Sequence, residues 1–331
     1  MAVRRRKQRR GRSYAWRYRG RIVACVFVEV LIICALVIMV GWNKGVKEWF
    51  EQFEQPVLKE VDISGINSPN AILMHARGGK VLGEINGDEK IYPASMTKIM
   101  TVILGIENFD DLDEKITLTN EMFSGLYEQD ATQAGFQPGE EVRVIDLLYG
   151  AMLPSGAECC IALADTISGS EADFAELMNK KAGKLGMENT HFCDSTGLHN
   201  PDHYSTVKDI AVLMKYCIKN DTFREIVETS RHSTGVTNIH PDGITYYSTM
   251  FKNLSDPTVT GGKILGGKTG YTSEAGHCLV SFAEIEGREY IFVSAGASGA
   301  DGNTIPHIQD AVTVYNRVGA AIEAKMNDNN K

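Results

Sequence analysis

"YPASMTKIM", Tyr92 to Met100, sets a serine and a lysine three positions apart behind a Pro-Ala pair, at the head of an unbroken apolar run. The pattern predicts a helix from Ser95 to about Glu107, apolar nearly all round at Ile99, Met100, Val102, Ile103 and Leu104. A helix apolar on every side belongs in the middle of a domain. Three residues apart on a helix, Ser95 and Lys98 share a face, so the ammonium can reach the hydroxyl. Pro93 and Ala94 break the preceding chain and leave Ser95 at the helix N-terminus, where free N–H groups and the helix dipole favour a developing negative charge. A lysine drawn into such a start loses hydration, which lowers its pKa by up to roughly 3–5 at complete burial. Such a lysine can serve as a base toward its serine. The plain alternative is a helix cap followed by a snorkelling lysine, and these nine residues leave both open.

Around this centre the patterns are mixed. "AILMHARGGKVLGEIN" reads as two short strands about a Gly-Gly turn, Ala71 to His75 and Val81 to Ile85. Residues 141 to 190 are helical in pattern, through "VRVIDLLYGAML", "AECCIALADTI" and "DFAELMNKKAGKLGM", with Gly186 as a stop. A further helix is expected around Val207 to Ile218. "HCLVSFAEIEGREYIFVSAGA" is then two apolar runs about Glu286-Gly287, a hairpin, and a last helix is expected over about Ile308 to Lys325. Strands near both ends with helices between predict an α+β domain, its antiparallel sheet assembled from both ends of the chain around a helical middle.

The N-terminal part differs in kind. Residues 1–21 hold ten Lys and Arg and no acid, leaving 24 basic against 42 acidic side chains in the other 310 residues. Ile22 to Trp42 carries Glu29 as its single charge. A helix of that length rises about 30 Å, the thickness of a hydrocarbon core, so the segment reads as one transmembrane helix. Val40-Gly41-Trp42 makes a poor cleavage site, which favours an uncleaved signal-anchor. The positive flank would keep residues 1–21 in the cytoplasm as a basic tail and place the rest outside the cell membrane. The same flank, lying directly against a span, argues against a nucleic-acid-binding arm. Residues 43–61, charged and containing Pro56, read as a stalk, and 62–331 as a single domain. Five cysteines lie beyond the span, an odd number without framework spacing or a CxxC pair, which argues against a disulfide scaffold and against cysteine-bound zinc.

Two further stretches could carry chemistry. In "LPSGAECC", Leu153 to Cys160, Ser155 sits where a loop enters an apolar helix; by itself this is an N-cap. In "GGKTGYTSEAGHCLV", Gly266 to Val280, Lys268-Thr269-Gly270 leads an extended run, and the glycine lets something approach the strand edge closely. Gly262 to Thr269, "GKILGGKT", also matches the phosphate-loop pattern GxxxxGKT, but that loop needs a helix after it and strand-like sequence follows here. His199 and His203 are four apart with Pro201 between them, which prevents the helix that would bring both onto one metal; they read as solvated or hydrogen-bonded. No HExxH zinc motif and no GxSxG nucleophile elbow occurs.

SxxK at 95–98, Ser-Gly at 155 and Lys-Thr-Gly at 268, in that order, resemble the penicillin-binding proteins and serine β-lactamases. "PASMTKIMT", "LLYGAMLPSGAE", "FAELMNKKAGKLGMENTHFCDSTGLHNPDHYST" and "GGKTGYTSEAGHCLV" narrow the resemblance to the low-molecular-weight serine D-alanyl-D-alanine carboxypeptidases, over roughly residues 62 to 320. The resemblance implies a β-lactamase/transpeptidase-like fold, no cofactor and no metal. It implies Ser95 as nucleophile on the terminal D-Ala-D-Ala bond of peptidoglycan stem peptides, Lys98 as base, and Ser155 as proton carrier to the leaving D-alanine. Lys268 and Thr269 would hold the substrate carboxylate, with Gly270 beside them, and the N–H groups of Ser95 and Tyr271 would form the oxyanion hole. β-Lactam antibiotics should then acylate Ser95. Two departures stand out. Most relatives read Ser-x-Asn where this chain has Ala157, so Lys98 is oriented less tightly unless Glu158 partly compensates, and a working but slower enzyme is expected. Many relatives also carry a C-terminal β-rich domain and a C-terminal membrane helix, whereas the anchor expected here is N-terminal. Two other readings stay open: a serine β-lactamase, whose added carboxylate would have to be Glu176 in a regular helical stretch, and an inactive wall-binding relative.

Overall fold

In the computed structural model, residues 58–254, 256–299 and 305–329 are described. The expected basic tail, the span Ile22–Trp42 and the stalk up to residue 57 lie outside them. Among the described residues no helix is long and apolar enough to cross a membrane.

Strand β1 (Asn70–His75) turns through Gly78 and Gly79 into β2 (Val81–Ile85), as the Gly-Gly pair predicts. The chain then enters a 3₁₀ turn, Ala94–Thr97, which runs into α1 (Lys98–Asn108). Short strands β3 (Lys115–Thr117) and β4 (Glu141–Arg143) pair with each other ahead of α2 (Val144–Met152), α3 (Ala157–Ser168) and α4 (Glu171–Leu185). Next come α5 (Val207–Cys217), α6 (Asp221–Glu228), the hairpin β5 (Arg231–Ser233) and β6 (Thr245–Tyr247), and α7 (Thr249–Asn253). The chain closes with β7 (Thr258–Val259), β8 (Gly262–Thr272), β9 (Gly276–Ile285), β10 (Arg288–Ala297) and α8 (Pro306–Asn329).

The main sheet has the order β2-β1-β10-β9-β8-β7, every neighbour antiparallel. Asn70 lies opposite Ala295, so the sheet is assembled from both ends of the chain as predicted. Alternation divides its side chains between two cores. Ile72, Met74, Val280, Phe282, Ile291 and Val293 face the core shared with α1–α6. Leu73, Leu279, Ile285, Tyr290 and Phe292 face the core covered by Val314, Val318 and Ile322 of α8. Leu58 and Val61, read from sequence as the end of a stalk, are buried in this second core, and Val61 N–H donates to Leu82 O at 2.8 Å.

Helix ends follow local chemistry. Ser170, Thr206 and Asn220 cap α4, α5 and α6 by accepting the N–H groups of Asp173, Asp209 and Phe223. Gly186 ends α4 in the left-handed region, as its position in the sequence predicts. Every residue of α1 from Lys98 to Gly105 is buried, so the helix apolar all round does run through the middle of the fold.

Candidate active site

Three segments bring their polar groups to one place. Ser95 lies on the 3₁₀ turn, one turn ahead of the α-helix that the pattern started at Ser95 itself. The turn is entered through Ala94 at φ 47°, a left-handed conformation that costs a non-glycine residue about 1–2 kcal/mol. Packing enforces it. Gly197 lies so close to Ala94 O that a Cβ on the glycine would stand 1.9 Å from that oxygen. From the other side Gly270 approaches: a Cβ there would stand 3.0 Å from Ser95 N and 3.2 Å from Pro93 O. The glycine after Lys-Thr thus admits the Ser95 turn to the edge of β8. That edge is open because β7 pairs with β8 only at Gly262 and Lys263.

Lys98 is 4% exposed and donates through Nζ to Ser95 Oγ at 3.0 Å and to Thr196 O at 2.7 Å. It does not snorkel, and Ser95 makes no side-chain cap hydrogen bond. Ser155 is not an N-cap either. Helix α3 begins at Ala157 with Gly156 as its cap, and Ser155 is held at φ 73° with its hydroxyl donating to Ser95 Oγ at 3.0 Å. Lys268, 1% exposed, donates to Ser155 Oγ at 3.0 Å and to Thr269 O at 2.9 Å. A chain of polar atoms therefore runs Lys98 Nζ, Ser95 Oγ, Ser155 Oγ, Lys268 Nζ, each step of hydrogen-bond length. Thr269 Oγ1 lies 2.8 Å from Thr249 Oγ1 at the start of α7, and the exposed Tyr271 ring packs against His277 with 4.7 Å between centroids.

Burial sets the electrostatics. Loss of hydration lowers the pKa of Lys98, although the carboxyl groups of Asp194 and Glu158 pull it upward. Lys268 is pushed well below the ordinary lysine value by burial and by the neighbouring positive charge of Lys98. Cys160 is pushed up to about 12 by burial and stays a thiol. The arrangement thus supplies a hydroxyl between two lysines whose proton affinity is reduced, with a second hydroxyl as a bridge.

Glu158 does not replace the missing amide. Its Oε1 accepts from the N–H groups of Ala134 (2.6 Å) and Gly135 (2.9 Å), so the carboxyl faces that loop. Its Oε2 is buried without a hydrogen-bond partner, and burial raises its pKa. The acceptor that sequence reasoning missed is the Thr196 carbonyl, from the "HFCDSTGLHNPDHYST" segment quoted above. A backbone atom leaves no mark in residue identity. Glu176 is exposed on α4, in the regular helix expected.

The phosphate-loop match resolves into packing. Gly262–Thr272 is one strand, Gly266 lies under Val227 O of α6, and Gly267 lies against Met250 of α7. His203 is buried, while His199 lines a cleft of about 200 Å³ together with Leu126, Ile161, Glu171, Asp194 and Thr196. Among the described residues no group of three or more His, Cys, Asp or Glu is placed to hold a metal ion. A larger cavity, about 590 Å³, lies by the β9–β10 turn, at the end of β9 away from Lys268.

Several known proteins resemble this chain. The D-alanyl-D-alanine carboxypeptidase DacF of Bacillus subtilis (strain 168) is 36% identical over 231 residues, covering 69% of this chain and 57% of that protein. DacC of Escherichia coli (strain K12), a D-alanyl-D-alanine carboxypeptidase, is 34% identical over 262 residues, covering 72% of this chain and 58% of its own. The chain thus spans somewhat over half the length of these curated relatives. The crystal structure of the Streptomyces K15 DD-transpeptidase superposes with a TM-score of 0.69 at 30% identity, over 79% of this chain and all of that one. The fold is therefore of the transpeptidase-like α+β kind. With residues 57–299 matching peptidase S11, described as D-alanyl-D-alanine carboxypeptidase, the chain belongs to that family.

Proposed function

We propose that this protein is a serine-type D-alanyl-D-alanine carboxypeptidase that trims the terminal residue from peptidoglycan stem peptides through a Ser95 acyl-enzyme. The observation that carries the reading is the unbroken hydrogen-bonded path from Lys98 through Ser95 and Ser155 to Lys268. Lys98, as the free amine, takes the Ser95 proton while Oγ attacks the carbonyl between the two D-alanines. The tetrahedral oxyanion is held by the N–H groups of Ser95 and Tyr271. Ser155 then relays the proton held by Lys98 to the departing nitrogen as the C–N bond breaks, which leaves Lys98 a free amine and Ser155 a hydroxyl again. Lys268 and Thr269 hold the terminal carboxylate and Gly270 lets β8 lie along the substrate. Water next gives a proton to Lys98 as it adds to the ester carbonyl, the ester C–O bond breaks, and Lys98 returns that proton to Ser95 Oγ.

We also infer that residues 1–21 are a cytoplasmic tail, Ile22–Trp42 a single membrane anchor and 43–57 a stalk, shortened by the burial of Leu58 and Val61, carrying an extracytoplasmic catalytic domain. The ten positive charges before the apolar run support that orientation.

The test is to incubate the full chain with a D-Ala-D-Ala peptide and, separately, with penicillin, following free D-alanine and protein mass. Release of D-alanine and a long-lived penicillin adduct, both lost in Ser95→Ala, is the expected result. Rapid penicillin turnover would assign a β-lactamase instead, and silence in both assays a wall-binding relative. Because the Streptomyces neighbour is a DD-transpeptidase, an amine acceptor added to the same assay reports whether the acyl group passes to water or to an amine.

A further inference from the structure

A lysine acting as a base must aim its lone pair. The neutral amine has two N–H groups and one lone pair, so facing the pair toward Ser95 Oγ–H requires an acceptor for the N–H groups. Ala157 ends in a methyl group where relatives are expected to offer an amide, and Glu158 is turned to the loop at Ala134. The acceptor found is Thr196 O, 2.7 Å from Lys98 Nζ. The aim of Lys98 is therefore only as good as the placement of that carbonyl.

One carboxylate ties down the turn that bears it. Asp194 Oδ1 accepts from Thr196 N (2.7 Å), Thr196 Oγ1 (2.7 Å) and Gly197 N (2.6 Å). The other oxygen, Oδ2, lies 3.1 Å from His203 Nδ1, which also lies 3.2 Å from the N–H of Cys193 on the same loop. His203 Nε2 lies 2.8 Å from Thr97 Oγ1, on the residue directly before Lys98. The ring is 2% exposed and packs edge-on to Phe192. Against burial, which raises it, the His203 contact and the turn's donors hold the Asp194 carboxyl down at about 2, so it is ionised at any working pH. The connection is closed: Lys98 to Thr196 O, through the turn to Asp194, to His203, to Thr97, and back along the chain to Lys98.

We propose that Asp194 and His203 are positioning residues for the Lys98 base, clamping the Thr196 carbonyl to the helix that carries Lys98 and doing the orienting that Ala157 cannot. This rests on the carboxypeptidase reading. It is judged only against a wild-type chain that acylates, so failure of that reading shows first, as a silent wild type.

The test measures penicillin acylation rate, D-alanine release (kcat and KM) and melting temperature from pH 5 to 11 on the full chain. The variants are His203→Ala, His203→Asn, Thr97→Val and the double variant His203→Ala with Ala157→Asn. A misaimed base predicts that His203→Ala slows acylation about tenfold to a hundredfold with KM within about threefold. The loosened turn admits water to Lys98, so the acid limb of the rate profile moves to higher pH. The groups facing Lys98 are Lys268 on β8, Glu158, Cys159 and Cys160 on α3, and Asp194 on the turn, and all are unchanged in this set. His203→Asn, which keeps an amide near the Nδ1 position, should recover part of the rate; Thr97→Val should lose less than His203→Ala. Adding Asn at 157 should restore part of the loss. If His203→Ala fails to fold, Thr97→Val and His203→Asn decide on the same criteria. Wild-type rates with an unmoved limb overturn the proposal, as does a loss that neither moves the limb nor responds to His203→Asn or Ala157→Asn.

Discussion

Gly270→Ala measures how closely the edge of β8 must approach Ser95, the proposed nucleophile. The added methyl would stand 3.0 Å from Ser95 N, 3.1 Å from Ala94 Cβ and 3.2 Å from Pro93 O, so the two segments must part by about 0.3 Å to restore ordinary contact. Neither yields easily. Strand β8 is held by β9 at Gly270↔Cys278, and the turn is backed by Gly197 against Ala94 O. Forcing one methyl into such a place costs about 1–3 kcal/mol, which lowers the melting temperature by roughly 2–4 °C per kcal/mol in a domain near this size. Catalysis should suffer more than stability. An oxyanion donor lost outright costs about 10²–10³ in rate, so a donor displaced by a fraction of an ångström should cost about 10–100-fold in acylation. Lys268 and Thr269 keep their places, so KM should stay within about threefold while kcat falls. Stopped-flow acylation by a fluorescent penicillin, D-alanine release and a thermal melt together read all three. Acylation within twofold of wild type, with an unchanged melt, would refute the claim that the Ser95 turn and β8 are in rigid contact.

Lys98 has its pKa lowered by burial, so acylation should rise with pH along a limb below the ordinary lysine value of 10.5, and Lys98→Arg, which cannot shed its proton, should abolish the adduct. In Glu158 the folded carboxyl has its pKa raised by burial above 4.5. Its stabilising contribution is complete below that value and is lost as pH climbs through the folded one. Glu158→Gln should accordingly match wild type in acid and exceed it at pH 8 in thermal melts. Glu158→Ala, which frees the N–H groups of Ala134 and Gly135, should lose about 2–4 kcal/mol in denaturant unfolding. Ala157→Asn in the otherwise unchanged chain should leave D-alanine release equal or higher; a large loss would refute the account of position 157 as the place of a missing orienting amide.

What could be read from residue order was whatever is local. The Gly-Gly turn between β1 and β2, the Glu286-Gly287 hairpin, the interior character of α1 and the Ser, Lys and Lys-Thr-Gly motifs are short-range patterns, and they came through. Ser155 was misread as a cap because a loop entering a helix normally caps it; its φ of 73° turns the hydroxyl to Ser95 instead. The run "GKILGGKT" hid the first half of β8, since a strand bulged between Ile264 and Gly266 and dense in glycine lacks alternation. Helix α6 went unread although Asn220 is a good cap, because eight residues give the period little room to declare itself. The Asp194–His203–Thr97 connection joins residues about a hundred positions apart and exists only in the folded chain.

The register of β1 on β10 sets when the protein can first be active. Asn70 to His75 pair with Tyr290 to Ala295, and Lys268 reaches Ser155 and Ser95 only once β8 is laid against β9. Loop closure of that length must precede its reward, which makes the sheet a late and slow step of folding. A nascent chain that has already made Ser95 and Lys98 therefore has no catalytic site. On the proposed mechanism Ser95 becomes reactive only once the sheet is assembled, so a fragment stopping short of β10 should remain blind to penicillin.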